Sequence, residues 1–526
     1  MTTTAAPGLA APASITPDLV RRLGALVVSD GAETHTNLHV FTGEPLAEIP
    51  LSTVDDVRRA VTAAREAQPA WAATPVRERI RVVRRLIEAI HDERELISDL
   101  IQAETGKSRL HAFQEQLDPL LCGSYYARKA PRLLKPRRRT GMFPLVASAV
   151  ELHVPKGVVG IIAPWNFPFA LALNDAVSAL IAGNAVVLKP DWQTVLSPLY
   201  AVELAHRAGV PAEVFQVVLG DGPVIGPAVV EHVDYVGFTG SSRTGRDVAR
   251  RSGARLVGCS LELGGKNPMV VLDDADLDRA VGSAVSGTFT NAGQICVGIE
   301  RIYVERPVCQ EFLRRFVDAV SKLRLGASYD DLDVDLGSLI SETQLARVSG
   351  HVEDARAKGA VVELGGRARP DLGPCFYEPT VLTGVTPEMA CYHEETFGPV
   401  VSVCPVADEA EAIRRANDTE YGLNASVFTR SARRGQRVGA ALRAGAVNVN
   451  DGFGTAYGTI DAPMGGMGAS GLGRRHGVEG LLKYTDTQTL ARLRFPVVDP
   501  PPNQPREKYV KGTAAAIRWM GRARIR

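Results

Sequence analysis

GVVGIIAP at residues 157–164 is the first of four short apolar runs that decide the fold. The other three runs are NAVVLKP at 184–190, VFQVVLG at 214–220 and YVGFTG at 235–240. Each run is rich in β-branched residues and is followed by a helical or turn segment, which predicts alternating strands and helices. This alternation is typical of a doubly wound parallel sheet. We therefore expect an α/β fold.

The carboxyl ends of these strands carry residues suited to ligand binding, because ligands of such sheets bind at that edge. The residues that follow the four strands are PWNFP at 164–168, Lys189-Pro190, GDG at 220–222 and Gly240-Ser241. The turn GSSRTG (240–245) has four residues between its glycines and differs from the common dinucleotide fingerprint. It can still present backbone N–H groups to a pyrophosphate. Taken alone, it is a weak signal.

Helical periodicity precedes the strands and a second α/β region follows them. Apolar residues recur every three or four positions from Val54 to about Ala130, and this indicates helices, one of them spanning 75–106. The second region runs from about Asn267 to Gly465 and mixes short strands with three long amphipathic helices. Two α/β units are therefore expected.

Two segments indicate single strands outside these units. They are MFPLVASAVELHV at 142–154 and GLLKYTDTQTLAR at 480–492. Neither has an evident local partner. The second strand can pair with the first strand of a neighbouring subunit.

Composition bounds the class of protein. A chain of 526 residues predicts two or three domains, and 45% hydrophobic with 23% charged residues is typical of a globular protein. A net charge of +1 argues against nucleic acid as a partner. The seven cysteines are scattered and odd in number, which favours reduced thiols and a cytoplasmic location. Pro and Asn interrupt the most apolar run, so no membrane span is predicted.

The two ends differ in composition from the rest of the chain. Residues 1–35 begin with MTTTAAPGLAAPASITP, which lacks the pattern of a secretory signal and predicts a loose arm. The end, 498–526, is rich in proline and then basic and helix-prone. A basic amphipathic helix can lie on an anionic membrane, but the basic end of a soluble oligomer is the favoured interpretation.

The candidate chemistry lies in ELGGKNPMVVLDDADLDRAVGSAVSGTFTNAGQIC, residues 262–296. Cys296 follows the predicted exit of a helix and is suited to act as a nucleophile. Glu262 precedes two glycines at a predicted strand end and is suited to act as a general base. The alternatives without catalytic function are that Cys296 is a buried cysteine that only packs and that Glu262 is a surface carboxylate. No metal-ligand spacing is evident, and we predict no metal site.

The motifs occur in the order that is typical of the NAD(P)-dependent aldehyde dehydrogenases, which the chain resembles over roughly residues 40–495. They are PWNFP, KP, the Gly-x4-Gly turn, ELGGK, GQIC, EETFGPV and SGLGR. The resemblance implies a dinucleotide-binding domain at 36–140 and 156–266 and a catalytic domain at 267–477. It also implies a β oligomerisation arm at 141–155 and 478–497, and hence a homodimer or homotetramer.

The resemblance implies a mechanism in which the Cys296 thiolate attacks an aldehyde. Asn166 and the Cys296 backbone N–H would stabilise the oxyanion, and Glu262 would activate water to hydrolyse the thioester. A thiol hydrolase or acyl transferase, and a scaffold that binds cofactor without catalysis, are the alternatives. Cofactor contacts are implied at Ile162, Trp165, Asn166, Lys189, Asp191, Trp192, Gly222, Gly240, Ser241, Leu263, Glu395 and Phe397.

Two features of the sequence bear on cofactor and substrate. Trp192 stands where NAD-preferring relatives often carry a Glu, so NADP is favoured and NAD remains possible. KPDWQT and PMGGMGASGLGRRHG resemble a branch of the succinate-semialdehyde dehydrogenases. Two arginines that grip the substrate carboxylate in relatives are Asn174 and Thr290 here, so a more apolar aldehyde is the alternative. The predicted substrate pocket comprises Phe167, Asn174, Phe289, Thr290, Phe453 and Ser470.

Overall fold

The computed structural model describes residues 3–4, 9–141, 146–494 and 499–522. Its strands are β1 (Thr3–Thr4), β2 (Thr34–Leu38), β3 (Pro45–Pro50), β4 (Arg137–Thr140), β5 (Ala147–Pro155), β6 (Val158–Ile162), β7 (Ala185–Lys189), β8 (Phe215–Val217), β9 (Tyr235–Thr239), β10 (Gly258–Glu262), β11 (Asn267–Val271), β12 (Ile299–Glu305), β13 (Leu325–Gly326), β14 (Val361–Leu364), β15 (Thr380–Thr383), β16 (Val400–Val406), β17 (Asn424–Phe428), β18 (Ala446–Val449), β19 (Gly471–Leu472) and β20 (Thr485–Leu493).

Its helices are α1 (Pro17–Gly24), α2 (Val54–Ala73), α3 (Val76–Asp92), α4 (Arg94–Thr105), α5 (Arg109–Leu133), α6 (Pro168–Ala182), α7 (Leu196–Ala208), α8 (Gly222–His232), α9 (Ser242–Ala254), α10 (Leu277–Phe289), α11 (Arg306–Ser321), α12 (Glu342–Ala357), α13 (Ala390–His393), α14 (Glu409–Ala416), α15 (Ala432–Ala441), α16 (Gly454–Gly458), α17 (Gly477–Leu482) and α18 (Arg506–Arg522). Short 3₁₀ turns occur at Thr290–Gly293 and Gly468–Ser470.

The first sheet contains the four predicted strands in the order β19-β10-β9-β6-β7-β8. All neighbours are parallel except β19, which runs antiparallel to β10. Every residue of β6 and β7 is buried, as expected of strands covered by helices on both faces. The chain leaves β6 first towards β7 and later towards β9, so the strand order reverses between β6 and β9. The predicted α/β class is confirmed.

The second sheet has the order β14-β15-β16-β12-β11-β17-β18. It is parallel except for the antiparallel edge strand β14. Its order reverses between β11 and β12, the two strands that flank the segment predicted to carry the nucleophile. Separate apolar clusters fill the space around each large sheet, and the first cluster is centred on β6 to β9.

A small antiparallel sheet stands apart from the two large ones, in the order β20-β5-β4. β20 pairs with β5 of the same chain over nine residues, from Thr485 opposite Pro155 to Leu493 opposite Ala147. The prediction that this strand pairs with residues 142–154 of a neighbouring subunit is therefore wrong. The antiparallel pair with β5 places the backbone hydrogen bonds between these two strands within one chain. Part of the predicted strand, 142–145, lies outside the described residues.

The prediction of a loose arm at 1–35 is wrong for its second half. Thr16 caps α1 by accepting the Leu19 backbone N–H, and Leu19 and Leu23 on that helix are buried against the first core. An amphipathic turn with two leucines on one face is enough to dock the segment. The helix expected at 75–106 is also divided in two at Glu93.

The chain returns to the first sheet before residue 477, where the predicted catalytic domain ends. β19 at Gly471–Leu472 joins the first sheet by pairing with β10. Ile460 and Leu481 pack into the first core. The return of the chain to the first sheet is a tertiary event that hydrophobic periodicity does not reveal.

The basic end forms α18, as predicted from its helical propensity, and none of the described residues of that helix is buried. No helix among the described residues is long and apolar enough to cross a membrane.

Candidate active site

A cavity of about 570 Å³ lies where the two large sheets face each other. Residues that follow β6, β9 and β10 line it from the first sheet, and residues that precede β12 and β16 line it from the second. The first sheet thus presents its carboxyl edge and the second its amino edge. Six residues on successive turns of α5 complete one wall, namely His111, Gln114, Glu115, Leu117, Asp118 and Leu121.

The first sheet contributes three groups of lining residues. Trp165 and Asn166 follow β6, Gly240 and Ser241 follow β9, and Glu262 is the last residue of β10. Since β6 and β9 are neighbours at the point where strand order reverses, the loops after them diverge and leave a crevice. The motif residues meet because their strands are parallel and adjacent.

The turn after β9 has no room for side chains at its glycines. A Cβ at Gly240 would lie 2.6 Å from the Phe238 ring, and one at Gly245 would lie 2.5 Å from Leu263. Ser241 caps α9 through its hydroxyl, so the first backbone N–H groups of that helix stay next to the cavity. The geometry suits close approach of an anionic ligand to backbone N–H groups.

Glu262 is a buried carboxyl with unusual electrostatics. Both of its carboxylate oxygens are buried and lack a hydrogen-bond partner among the described residues. Burial raises its pKa to about 7, while the charges of Arg475 and Lys483 oppose that shift. A carboxyl that titrates near neutrality and keeps both oxygens free can act as a general base.

The segment before Cys296 has a strained backbone. Asn291 and Ala292 adopt positive φ values of 53° and 51°, and Gly293 has φ 73°. A Cβ at Gly293 would lie 2.0 Å from the Gly398 carbonyl oxygen, so only glycine fits. Such conformations persist only where the surroundings enforce them, and they often occur at functional sites.

Side-chain amides hold this segment in place. Asn267 Nδ2 donates to the Cys296 carbonyl oxygen at 2.8 Å, and Asn291 Nδ2 donates to the Gln294 carbonyl oxygen at 3.0 Å. The Gln294 side chain in turn accepts the Ile340 N–H at 3.0 Å. Cys296 thus lines the cavity on a loop that these hydrogen bonds hold in place.

Cys296 is held as a thiol in this environment. Burial raises its pKa to about 12, and the nearby carboxyls of Glu262 and Glu395 add to the effect. A thiol must lose its proton to act as a nucleophile. Glu262 is the lining carboxyl with free oxygens to accept that proton.

Asn166 joins the two halves of the site. Its Nδ2 donates to the Gln294 carbonyl oxygen at 3.0 Å, and its own carbonyl oxygen accepts Asn291 Nδ2 at 3.1 Å. A primary amide has two N–H donors, and this contact uses one of them. The second donor remains for a ligand atom in the cavity.

Glu395 explains why two glycines follow Glu262. The Gly265 N–H donates to Glu395 Oε1 at 2.8 Å, and a Cβ at Gly264 would lie 2.3 Å from Glu395 Oε2. Burial and the charge of Glu300 raise the pKa of Glu395 to about 8. The separate motifs ELGGK and EETFGPV are therefore in direct contact.

A buried ion pair holds the loop that carries Glu395 in place. Lys266 pairs with Glu300, whose carboxylate also accepts the backbone N–H groups of Thr396 and Phe397 at 2.9 Å. Phe397 has φ 56° and packs edge-on against Trp165 with ring centroids 5.5 Å apart. Two aromatic rings and a carboxylate thus flank the cavity beside the Gly240 turn.

The chain matches the family model described as "Aldehyde dehydrogenase family" over residues 27–490. That match covers most of the chain. This chain belongs to the aldehyde dehydrogenase family. The predicted resemblance is confirmed.

Two curated relatives and one solved structure show the extent of the similarity. A Mycobacterium tuberculosis protein provisionally named succinate-semialdehyde dehydrogenase (NADP⁺) 2 is 51% identical over 510 residues, which is 97% of this chain and 98% of the relative. Escherichia coli succinate-semialdehyde dehydrogenase (NADP⁺) GabD is 38% identical over 449 residues, 84% of this chain and 91% of the relative. An Escherichia coli structure described as an NADP-dependent enzyme has a TM-score of 0.85 at 36% identity and covers 89% of this chain and 96% of that chain.

The cofactor residues predicted for this aldehyde dehydrogenase fall into two groups. Trp165, Asn166, Gly240, Ser241, Leu263, Glu395 and Phe397 line the cavity. Ile162, Lys189, Asp191, Trp192 and Gly222 lie outside it, at or just after the carboxyl ends of β6 to β8. Burial lowers the pKa of Lys189, and the Trp192 ring stacks on His35 at 4.8 Å. Their cofactor roles stay predictions.

Three predicted pocket residues line the cavity and three do not. Phe167, Thr290 and Phe453 are lining residues. Phe289 points into the second core and stacks on Phe316, so its prediction as a pocket wall is wrong.

Asn174 and Ser470 are buried polar residues with structural partners instead of cavity exposure. Asn174 Nδ2 donates to Asp118 Oδ2 at 2.5 Å. The Ser470 hydroxyl donates to the Gly264 carbonyl oxygen at 2.7 Å and accepts the Gly422 N–H at 2.9 Å. The prediction of substrate contact at these two positions is corrected, because neither residue lines the cavity and both Asn174 Nδ2 and the Ser470 hydroxyl are used within the protein.

Sequence reasoning missed several lining residues. His111, Asp118, Arg347 and Arg475 all line the cavity. His111 and Asp118 lie on α5, within the stretch from Val54 to about Ala130 for which only helices were predicted, and their helical spacing was the available signal. Arg475 lies within the glycine-rich segment 463–477 and bonds to Asp175 at 2.6 Å, a pairing that only tertiary structure reveals.

Proposed function

We propose that this aldehyde dehydrogenase oxidises succinate semialdehyde to succinate with NADP⁺. The observation that carries the proposal is the single cavity lined by Cys296, Asn166 and Glu262. The full-length similarity to relatives whose names give this substrate and NADP⁺ supports the choice of both.

In the first step Cys296 Sγ attacks the aldehyde carbon and its proton passes to Glu262. The carbonyl oxygen becomes an oxyanion, which accepts hydrogen bonds from the free N–H of Asn166 Nδ2 and from the Cys296 backbone N–H. The resulting hemithioacetal carries one hydrogen on the former aldehyde carbon. Cys296, Asn166 and Glu262 all line the one cavity.

In the second step that hydrogen leaves with its electron pair. NADP⁺, when bound, would supply the acceptor for this hydride. Collapse of the oxyanion leaves a thioester on Cys296. Glu262 releases its first proton to solvent and then removes a proton from water as the water attacks the thioester carbon. Cleavage of the carbon–sulfur bond releases the carboxylic acid, and the proton now on Glu262 returns to the sulfur and restores the thiol.

The residues that would hold the cofactor fit a dinucleotide. The Gly240 turn leaves its backbone uncovered, as a pyrophosphate requires, since a side chain there would collide with Phe238. Lys189 would bind the adenosine ribose and Glu395 the nicotinamide ribose. At Trp192 no carboxylate repels a 2′-phosphate, which supports NADP⁺ over NAD⁺.

A second candidate substrate is a more apolar aldehyde. Asn174 and Thr290 provide no positive charge, and the Asn174 amide is bound to Asp118. The cavity walls include Phe167, Phe453 and Leu121. A carboxylate beside these two positions would lack the charge-assisted bonds that arginines there would provide.

The test is a kinetic panel read by the absorbance of the reduced cofactor. Succinate semialdehyde, butanal and benzaldehyde are each assayed with NADP⁺ and with NAD⁺, and the six kcat/KM values are compared. The proposal requires the highest value for succinate semialdehyde with NADP⁺. A higher value for butanal selects the apolar candidate, a higher value with NAD⁺ refutes the cofactor assignment, and hydrolysis of a thioester or ester without any cofactor reduction selects a hydrolase.

We also propose a cytoplasmic homo-oligomer assembled through the β20-β5-β4 sheet. All seven cysteines are free, in keeping with a reducing compartment. Leu490 and Leu493 on the edge strand β20 are 61% and 46% exposed. Exposed leucines on a free strand edge favour pairing with another copy. Light scattering of the wild type and of Leu490→Lys measures the assembly state, and unchanged mass in the variant would contradict the arm as interface.

A further inference from the structure

Three side chains with metal-ligand chemistry lie together beside the cavity. Asp118 and Cys122 are one turn apart on α5, and His476 directly precedes α17. One ligand atom from each of the three residues lies within 4.8 Å of the other two. Their residue exposures are 8%, 2% and 4%. An oxygen, a sulfur and a nitrogen ligand thus converge inside the protein.

His476 has an unused ring nitrogen in this cluster. Its Nδ1 is buried and has no hydrogen-bond partner among the described residues. A buried polar atom without a partner is costly and uncommon, and it signals a missing ligand. The residue also has φ 60°, a backbone conformation rarely adopted by residues with a side chain.

Asp118 turns one oxygen towards its neighbours and the other towards Cys122. Oδ2 accepts hydrogen bonds from Asn174 Nδ2 at 2.5 Å and from the Tyr457 hydroxyl. Oδ1 faces Cys122 Sγ at 3.5 Å, where the thiol donates a weak hydrogen bond. Asp118 Oδ1 and Cys122 Sγ contact each other and leave Oδ2 to bind Asn174 and Tyr457. A shared ion would therefore bind Asp118 Oδ1 and Cys122 Sγ.

The spacing of these two atoms matches a tetrahedral ion. A Zn–S bond of about 2.3 Å and a Zn–O bond of about 2.1 Å at the tetrahedral angle place sulfur and oxygen about 3.6 Å apart. The observed separation of Asp118 Oδ1 and Cys122 Sγ is 3.5 Å. The His476 ligand atom lies within 4.8 Å of the other two and would have to approach them by about 1.4 Å at most to complete the three-ligand set.

Charge also favours a cation at this place. No lysine or arginine forms an ion pair with Asp118 within the part of the chain that the structure describes. Buried carboxylates are usually paired with a cation or bound to a metal. A set of thiolate, imidazole and carboxylate suits Zn²⁺ better than Mg²⁺ or Ca²⁺, which prefer oxygen ligands.

We propose that Asp118, Cys122 and His476 form a zinc site. The fourth coordination position lies next to Tyr457, which bonds to Asp118 and lines the cavity with it. The ion would add positive charge to the cavity wall that α5 forms. Asp118 lies in that wall and has no cationic partner among the described residues.

The test uses Co²⁺ as a spectroscopic probe, because a cobalt–thiolate bond produces a charge-transfer band. All proteins are full-length, carry no histidine tag, and contain Cys296→Ala, so that the cavity thiol cannot bind the metal. The probe is added to the Cys296→Ala protein and to its derivatives Cys122→Ser, His476→Asn and Cys404→Ser. Cys404→Ser is the matched control, since Cys404 is a buried thiol outside the cluster.

The proposal predicts one Co²⁺ per chain with a thiolate band in the parent and in Cys404→Ser, and displacement of Co²⁺ by one Zn²⁺. Cys122→Ser loses the band, and His476→Asn weakens Zn²⁺ binding by more than about 100-fold, since changes outside the ligand shell already cost about 10- to 100-fold. Circular dichroism and the melting temperature verify that each variant is folded. If Cys122→Ser does not fold, the Zn²⁺ affinity of His476→Asn alone decides whether the zinc site exists. The absence of a thiolate band in the folded parent, or equal metal affinity in His476→Asn and the parent, overturns the site.

Discussion

The two large sheets meet at one cavity but present opposite edges to it. The first sheet contributes loops that follow its strands, among them those carrying Asn166, Gly240 and Glu262. The second contributes loops that precede its strands, with Cys296 before β12 and Glu395 before β16. The first edge obeys the rule for ligands of doubly wound sheets, whereas the second does not.

This difference separates binding from chemistry. The carboxyl edge of the first sheet has an uncovered glycine turn at a helix start, which suits a phosphate-bearing ligand. The amino edge of the second sheet has a strained loop held by side-chain amides, which suits a positioned nucleophile. The mechanism that we propose needs both halves, because Glu262 belongs to the first sheet and Cys296 precedes a strand of the second.

Removal of the thiol gives the largest expected effect. Cys296→Ala should lower kcat by at least about 10⁴-fold, since no other lining residue of the cavity is a thiol, and loss of a nucleophile has cost about 10⁶-fold in a well-studied enzyme. NADP⁺ affinity, measured by calorimetry, should be unchanged because the first sheet is untouched. Cys404→Ala serves as the control. Normal turnover in Cys296→Ala would break the division between the two edges.

Removal of the base should slow both halves of the reaction. Glu262→Gln keeps the size of the side chain but cannot accept a proton from Cys296 or from water, so NADPH should form without a burst and kcat should fall by about 10²- to 10⁴-fold. Stopped-flow absorbance measures the burst amplitude per chain. A burst of one NADPH per chain would show that another group accepts the thiol proton and that Glu262 serves only the hydrolysis.

The oxyanion donor should have an intermediate effect. Asn166→Ala removes a free amide N–H that faces the cavity, and we expect kcat to fall by about 10²- to 10³-fold with little change in the KM for NADP⁺. Steady-state kinetics with both substrates varied would separate the two constants. If the KM for NADP⁺ rises as much as kcat falls, Asn166 serves the cofactor and not the transition state.

The pH profile should show the smallest effect. Glu262 acts as a base only when it is deprotonated, and its pKa is raised to about 7, so kcat/KM should fall as the pH drops below about 7. The decline should approach about tenfold per pH unit for a single ionisation. In Glu262→Gln this limb should vanish. A limb that persists in the variant belongs to another group, such as Glu395 with its pKa near 8.

Much of the first half was predictable because its signals are local. The strands β6 to β9, the glycine turn and the placement of PWNFP at a strand end all follow from alternation and from turn chemistry. The docking of α1 and the fold-back of β20 onto β5 were not predictable, since both depend on surfaces distant in sequence.

The substrate end of the cavity was the least predictable part. Phe289 looked equivalent to Phe167 as an aromatic wall, yet it packs against Phe316 in the second core. Asn174 binds Asp118, a partner 56 positions away. The residue type indicated whether each side chain is polar or apolar. The direction in which each side chain points depends on how its helix is rotated against elements that are distant in sequence.

By itself the sequence determined the α/β class, the family and the identity of the thiol, the amide and the carboxylate, because short motifs encode turns and reactive groups locally. Only the tertiary structure decided that the second sheet faces the site with its amino edge, that Glu395 fills the space beside Gly264, and that Asp118, Cys122 and His476 converge. These features arise from contacts between segments far apart in the chain, and no local pattern of residues records which distant surfaces will pack together.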